Sequence, residues 1–193
     1  MAGARALTEL EGAVLGTIRL KGPCTPYAVR REFRSSLTPY WSGSAGAIYP
    51  LIRRLEGQGL IRSADGTTGR RRSKRYSLTP GGREALRRWL GPPLADRTLG
   101  VPPDPLRTRM RFLGALPPKR KMSFLTQAQR WLPAHLAQVE KESERYRRAG
   151  ALHAHLMALG AVRVLRARLK WIREVVAELG DSSRRKTNKR RRS

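Results

Sequence analysis

The chain has 193 residues, with 41 Lys and Arg against 14 Asp and Glu, for a formal net charge of +27. A charge this one-sided repels itself in a compact state, so a polyanion is the expected partner, nucleic acid before an anionic membrane surface. With 39% hydrophobic residues the composition excludes wholesale disorder, and the single cysteine excludes an internal disulfide and fits a reducing compartment.

In chain order, Thr8-Glu9-Leu10-Glu11 reads as a capping box that opens a first helix. Leu10, Ala13, Val14 and Ile18 mark its apolar face, and Gly22-Pro23 stops it. Cys24 follows, an inert thiol with no histidine nearby to activate it. Thr25-Pro26 starts a second helix, since proline at the first helical position forfeits no bond. Tyr27, Val29 and Phe33 are its expected apolar side. A loop runs from Ser35 to Gly43. In SGSAGAIYPLIRRLEGQGLI, from Ser42 to Ile61, the residues Ile48, Leu51, Ile52 and Leu55 fall at i, i+3, i+4 and i+7 and share one buried face. Pro50 predicts either a kink or a helix that begins later than Ser44. Gly57 or Gly59 ends it, and Leu60-Ile61 enters a strand.

RSADGTTGRRRSKRYSLT then reads as a β-hairpin, with Asp65-Gly66 and Gly69 as turn residues and Tyr76 and Leu78 inward on the return. Its tip and second strand carry Arg70, Arg71, Arg72, Lys74 and Arg75. Thr79-Pro80 opens another helix, with Ala85, Leu86, Trp89 and Leu90 inward, closed by Gly91. The order helix, helix, helix, strand, strand, helix is that of a winged helix-turn-helix, with the third helix as reader and the basic hairpin as wing.

Beyond a Gly- and Pro-rich stretch the chain reads as helical. Asp104-Pro105 begins a short helix with Leu106, Met110 and Leu113. A long amphipathic segment runs from Lys119 to about Arg148, with a kink expected at Pro133. After Gly150 the apolar series Leu156, Leu159, Val162, Leu165, Leu169, Ile172, Val176 and Leu179 resembles a coiled-coil seam. The expected layout is a DNA-binding domain over 1–91, a linker over 92–103, a helical dimerisation domain over 104–180 and a disordered basic tail over 181–193. The fold class is mainly α: an N-terminal winged helix-turn-helix with a small β-hairpin wing, then a C-terminal α-helical dimerisation domain.

Catalytic chemistry finds little footing. His153 and His155 point to nearly opposite sides of a helix and cannot share a metal. Glu140, Glu142 and Glu144 read as a solvated face, and the glycines of GSAGAIY lack the lysine of a phosphate-binding loop. No enzyme, cofactor or metal site is expected. Duplex DNA fits better. Tyr49, Arg53 and Arg54 lie on the flanks and far side of the third helix, where an arginine can pair with guanine. Amides near Ser42 and Ser44 would receive a phosphate. Arg70, Arg71, Arg72 and Lys74 of the wing would hold the DNA backbone without reading it. The basic tail would add affinity for the same polyanion.

Three segments, LTELEGAVLGTI, AIYPLIRRLEGQGLI and RRSKRYSLTPGGREALRRWL, resemble the winged-helix domain of PadR-like transcriptional regulators, over about Leu7 to Leu90. FLGAL at Phe112–Leu116 and the closing LKWIREVVAEL match the family's larger members more loosely. The resemblance implies a bacterial homodimer that binds a palindromic operator, usually to repress. It implies a dimer made by the C-terminal helices, through Leu156, Leu159, Leu165, Leu169, Ile172 and Val176, with the partner packing on the first helix at Leu10 and Val14. Some family members respond to a small aromatic effector near the dimer interface; Trp131 and Trp171 are the candidates to line such a site here, the alternative being that tryptophans at helical spacing belong to the core. The long loop RSSLTPYWSGS, the arginine-rich wing and the basic tail depart from the family pattern. Two rival readings use the same charge, a nucleoid-type protein without operator choice and an RNA-associated protein. No membrane span and no signal-peptide core is visible, so a cytoplasmic location is expected.

Overall fold

The computed structural model describes residues 5–36, 41, 44–68, 71–94 and 96–191, in two units, Met1–Pro102 and Pro103–Ser193. It is mainly helical with one two-stranded sheet. Among the described residues no helix is long and apolar enough to cross a membrane.

The N-terminal unit begins with α1, Glu9–Lys21, whose capping box is formed: the Glu11 amide donates to Thr8 Oγ1 at 3.3 Å and the Thr8 amide donates to Glu11 Oε2 at 2.8 Å. Helices α2 (Pro26–Arg34) and α4 (Pro80–Leu90) each open on a Thr-Pro pair, with Thr25 and Thr79 accepting the Ala28 and Gly82 amides. Between them α3 spans Ile48–Gly57. Ser44–Ala47 forms a 3-10 turn before it, so Pro50 sits third in α3, where an amide has no helical acceptor to lose. The start later than Ser44 is the outcome, and its cause is that missing donor. The helix ends as the glycines require: Gly59 at φ +70° lets its own amide reach Glu56 O at 2.9 Å and the Leu60 amide reach Leu55 O at 3.0 Å.

Strands β1 (Ile61–Thr68) and β2 (Arg71–Leu78) pair antiparallel from Ile61↔Leu78 to Thr68↔Arg71. Asp65 and Gly66 are therefore ladder residues, not a turn. The ladder keeps Asp65 opposite Lys74, a favourable cross-strand pair, and moves the connection to Gly69 and Arg70, outside the described residues. Cys24 bridges to Tyr76 through two main-chain bonds and anchors the hairpin to the helices. The core gathers Val14, Leu15 and Ile18 of α1, Val29 and Phe33 of α2, the four apolar residues of α3, then Ile61, Tyr76, Leu78, Ala85 and Leu86. Tyr27 is a correction: it is exposed, because Phe33 and Val29 already fill α2's inner side.

In the C-terminal unit, α5 (Pro105–Arg111) is capped by Asp104, whose Oδ1 accepts the Leu106 amide at 2.9 Å. Its Oδ2 accepts Arg168 Nη2 at 2.7 Å, which ties α5 to the last helix. Helix α6 spans Pro118–Arg148 with Pro133 inside it, and α7 spans Leu152–Arg191. Gly150, at φ +66°, turns the chain between them. Leu125 and Val139 of α6 and Ala158, Val162 and Ile172 of α7 are buried where the two helices pack. Helix α7 continues to Arg191, across most of the stretch 181–193 expected as a basic tail. After Gly180 no Pro or Gly breaks the helix, arginine and lysine are good helix formers, and cations suit a helix C-terminus.

Candidate nucleic-acid interface

With Ile48, Leu51, Ile52 and Leu55 buried, α3 must turn Tyr49, Arg53 and Arg54 outward. Tyr49 is 42% exposed, and Arg53 stands in solvent. Arg54 is already engaged. Its Nη2 donates to Oε1 of Glu11 at 3.2 Å, and Arg5 Nη2 donates to the same oxygen at 2.6 Å. Glu11 is fully buried. Burial alone would raise its pKa, but the Thr8 amide, Arg5, the Thr8 hydroxyl and Arg54 outweigh it and hold the carboxyl down at about 2. The sequence offered Glu11 only as half of a capping box. Its second occupation, steering an arginine of α3, has no local signal.

On the wing, Lys74 and Arg75 are exposed, and Arg75 Nη1 also donates to Pro23 O at 3.4 Å. Arg71 and Arg72 open β2, whereas Arg70 and Ser42 lie outside the described residues. Ser44 heads the 3-10 turn, a full turn before α3, so its position is not the N-terminus of α3. At the wing's base Ser63 Oγ donates to Glu56 Oε1, and the Tyr76 hydroxyl is bonded to the same carboxylate. Burial first, then Glu56's charge and hydrogen bond, push the Tyr76 phenol up, so it stays neutral.

The sequence reading missed the outer face of α2, where Tyr27, Arg30, Arg31 and Arg34 line one shallow hollow. Their spacing of three and four was the available signal. In a helix-turn-helix this first helix crosses the DNA backbone.

The remaining candidates divide. Val14 has no exposed surface and lies in its own domain's core, so it is withdrawn as a partner contact; Leu10 is partly buried against the same core. Ile172 is likewise enclosed between α6 and α7, while Leu159, Leu165, Leu169 and Val176 are partly buried there. Only Leu156, 52% exposed, still faces outward among the named seam residues. Trp131 is 63% exposed on α6, edge-on to His135 with ring centroids 6.4 Å apart, and Trp171 is partly buried on α7. Among the described residues no cluster of His, Cys, Asp and Glu could hold a metal ion.

The sequence model of the transcriptional regulator PadR-like family matches residues 14–88, from within α1 to within α4 and including the hairpin. Residues 14–88 are similar to the PadR-like family. A second model, virulence activator alpha C-term, matches residues 104–180. A curated relative, the negative transcriptional regulator PadR of Bacillus subtilis (strain 168), is 33% identical over 82 residues, 42% of this chain and 44% of its own length. The alignment thus spans less than half of that PadR relative. Bacillus subtilis PadR in complex with operator DNA superposes with a TM-score of 0.76 at 20% identity, over 90% of this chain and 99% of that one. The same protein in complex with p-coumaric acid gives 0.65 at 20% identity, over 89% and 95%. The Vibrio cholerae virulence activator AphA gives 0.68 at 20%, over 90% and 99%. At these identities the structural likeness shows the fold. PadR-like proteins are a family of transcriptional regulators, not of enzymes.

Proposed function

We propose that this chain is a sequence-specific, double-stranded-DNA-binding transcriptional repressor, acting in the cytoplasm as a homodimer on a palindromic operator. The observation that carries this is α3, packed on four buried residues so that Tyr49 and Arg53 project outward beside a strand pair rich in arginine. Tyr49 and Arg53 read base edges, where one bidentate arginine discriminates by about 1–3 kcal/mol. Arg70, Arg71, Arg72 and Lys74 of the wing, with Ser42 and Ser44 before α3, hold phosphates and set the register. Bacillus subtilis PadR has been solved with operator DNA, which supports the same use of this fold.

The dimer forms through the outward apolar start of α7, Leu152 and Leu156, with the flanking seam residues. The p-coumaric acid complex of the Bacillus protein supports a small aromatic effector here as well, with the exposed Trp131 of α6 and the partly buried Trp171 of α7 as lining. Gel shifts with fragments of the source genome against excess random duplex test the reading. The expected result is one or a few fragments that survive competition. Complete competition by random duplex at moderate salt would leave a nucleoid-type binder in its place.

A further inference from the structure

The outer side of α7 changes character along its length. Where the helix starts, its exposed residues are apolar, Leu152 and Leu156. From residue 163 the same side is basic. Arg163, Arg166, Lys170 and Arg173 follow at spacings of three, four and three, which is one row on an α-helix, and all four are exposed. From Arg163 to Arg173 the row spans roughly 15 Å at a rise of about 1.5 Å per residue.

Acidic neighbours cancel only part of it. Glu140 pairs with Arg166 at 2.6 Å, and Glu174 reaches Lys170 only at 3.9 Å. The remaining acids of α6 are taken by Arg145, Arg147 and Arg148, and Asp104 by Arg168. Over residues 103–193 the sequence holds 23 Lys and Arg against 7 Asp and Glu, a net +16, whereas residues 1–102 hold 18 against 7, a net +11. The unit without the winged helix is the more basic of the two. A fold needed only for dimerisation gains nothing from that charge, because it repels a second copy.

We propose that this face of α7 is a second DNA-binding surface, which grips the phosphate backbone of duplex lying outside the operator. The inference rests on the proposed regulator function and extends it. Duplex DNA offers about one charge per 1.7 Å of axis, so a straight basic row finds phosphates whatever the sequence. A membrane surface fits less well, since it needs large apolar side chains beside the basic ones. Here the exposed residues from 163 to 180 besides the cations are Val164, Ala167, Glu174, Ala177, Glu178 and Gly180, with no aromatic or leucine among them.

The test uses full-length protein and two multiple variants. The row variant carries Arg163→Gln, Lys170→Gln and Arg173→Gln and keeps Arg166, which holds Glu140. The wing variant carries Arg71→Ala, Arg72→Ala and Lys74→Ala. Sedimentation first establishes that each keeps the wild-type assembly. Binding of a random-sequence duplex and of a structured RNA is then followed across a salt series. The wing variant is expected to bind operator and random duplex more weakly and with a flatter salt slope, yet to keep its preference for operator and still bind random duplex. The row variant should keep that preference on a duplex no longer than the operator. On random duplex its log–log salt slope should fall by about 2.7 per protomer, about 0.9 for each of three lost cations. Lys170→Arg alone should leave the slope unchanged. A row variant that matches wild type on random duplex at every salt concentration overturns the inference and leaves the regulator function standing. Loss of RNA binding with duplex binding intact also overturns it and assigns the face to RNA. Wild-type protein that binds no duplex at all removes both.

Discussion

Arg53 and Arg54 are adjacent, yet their surroundings give them different work. Arg53 projects into solvent from α3, whereas Arg54 is bonded to a buried carboxylate 43 residues away in sequence. Arg53→Ala should therefore weaken operator binding and relax base preference, by about 1–3 kcal/mol, with the melting temperature unchanged. Arg54→Ala should lower stability by about 1 kcal/mol, with Arg5 still in place on Glu11. Paired gel-shift and thermal-melt measurements separate the two. Glu11 itself carries a pH signature. Its carboxyl titrates at about 2 in the folded chain and near 4.5 when exposed, so its contribution is fully present above about 4.5 and is lost as pH falls toward 2. The stabilisation at stake is up to roughly 3 kcal/mol. Glu11→Gln should remove that acid-dependent component from urea melts between pH 5 and 3, leaving a flatter profile. The threonine caps at 8, 25 and 79 were legible because each acts on an amide three residues on. The Glu11–Arg54 bond was not, because no periodicity links α1 to α3.

At the scale of elements, the hairpin and α4 meet at a point where one hydrogen atom matters. A Cβ on Gly82 would lie 1.8 Å from the Leu60 carbonyl oxygen, a main-chain atom held by the Thr79 amide and hydroxyl. Nothing there can rotate aside. Gly82→Ala should therefore force α4 off β1 and cost about 3 kcal/mol or more, as overpacking with backbone shift does, and a loss of cooperative melting would register it. Most element types and several boundaries could be read from spacing: the i, i+3, i+4, i+7 set of α3, the Thr-Pro starts, the glycine after α3. Asp65-Gly66 was wrongly read as turn, because Asp-Gly is a strong local turn signal. What decides the register is the cross-strand match of Ile61 with Leu78 and of Asp65 with Lys74, which no single segment contains.

For the whole molecule, the instructive case is the long apolar series of α7. A repeat of three and four residues states that a face is buried and does not state by what. Much of that face is consumed within the chain, since Ala158, Val162 and Ile172 pack where α6 lies and Leu165 and Leu169 are partly covered. Leu169→Lys would therefore disturb the α6–α7 pair before it disturbed any assembly. The surface left for a second copy is at the start of α7, where Leu152 is 60% and Leu156 52% exposed. Large apolar side chains left outward on one short stretch, on a helix otherwise lined with arginine, fit an interface core with a charged rim. Leu156→Lys should then shift sedimentation toward monomer at micromolar concentration and weaken operator binding, because two half-sites no longer share one molecule. Its melting profile at dilutions where wild type is itself monomeric should match wild type, since an exposed residue contributes little to the protomer's own fold. Ile172→Ala should do the reverse, lowering the melting temperature of the monomer through a cavity worth about 2–5 kcal/mol. A dimer that survives Leu156→Lys intact would move the interface off the start of α7.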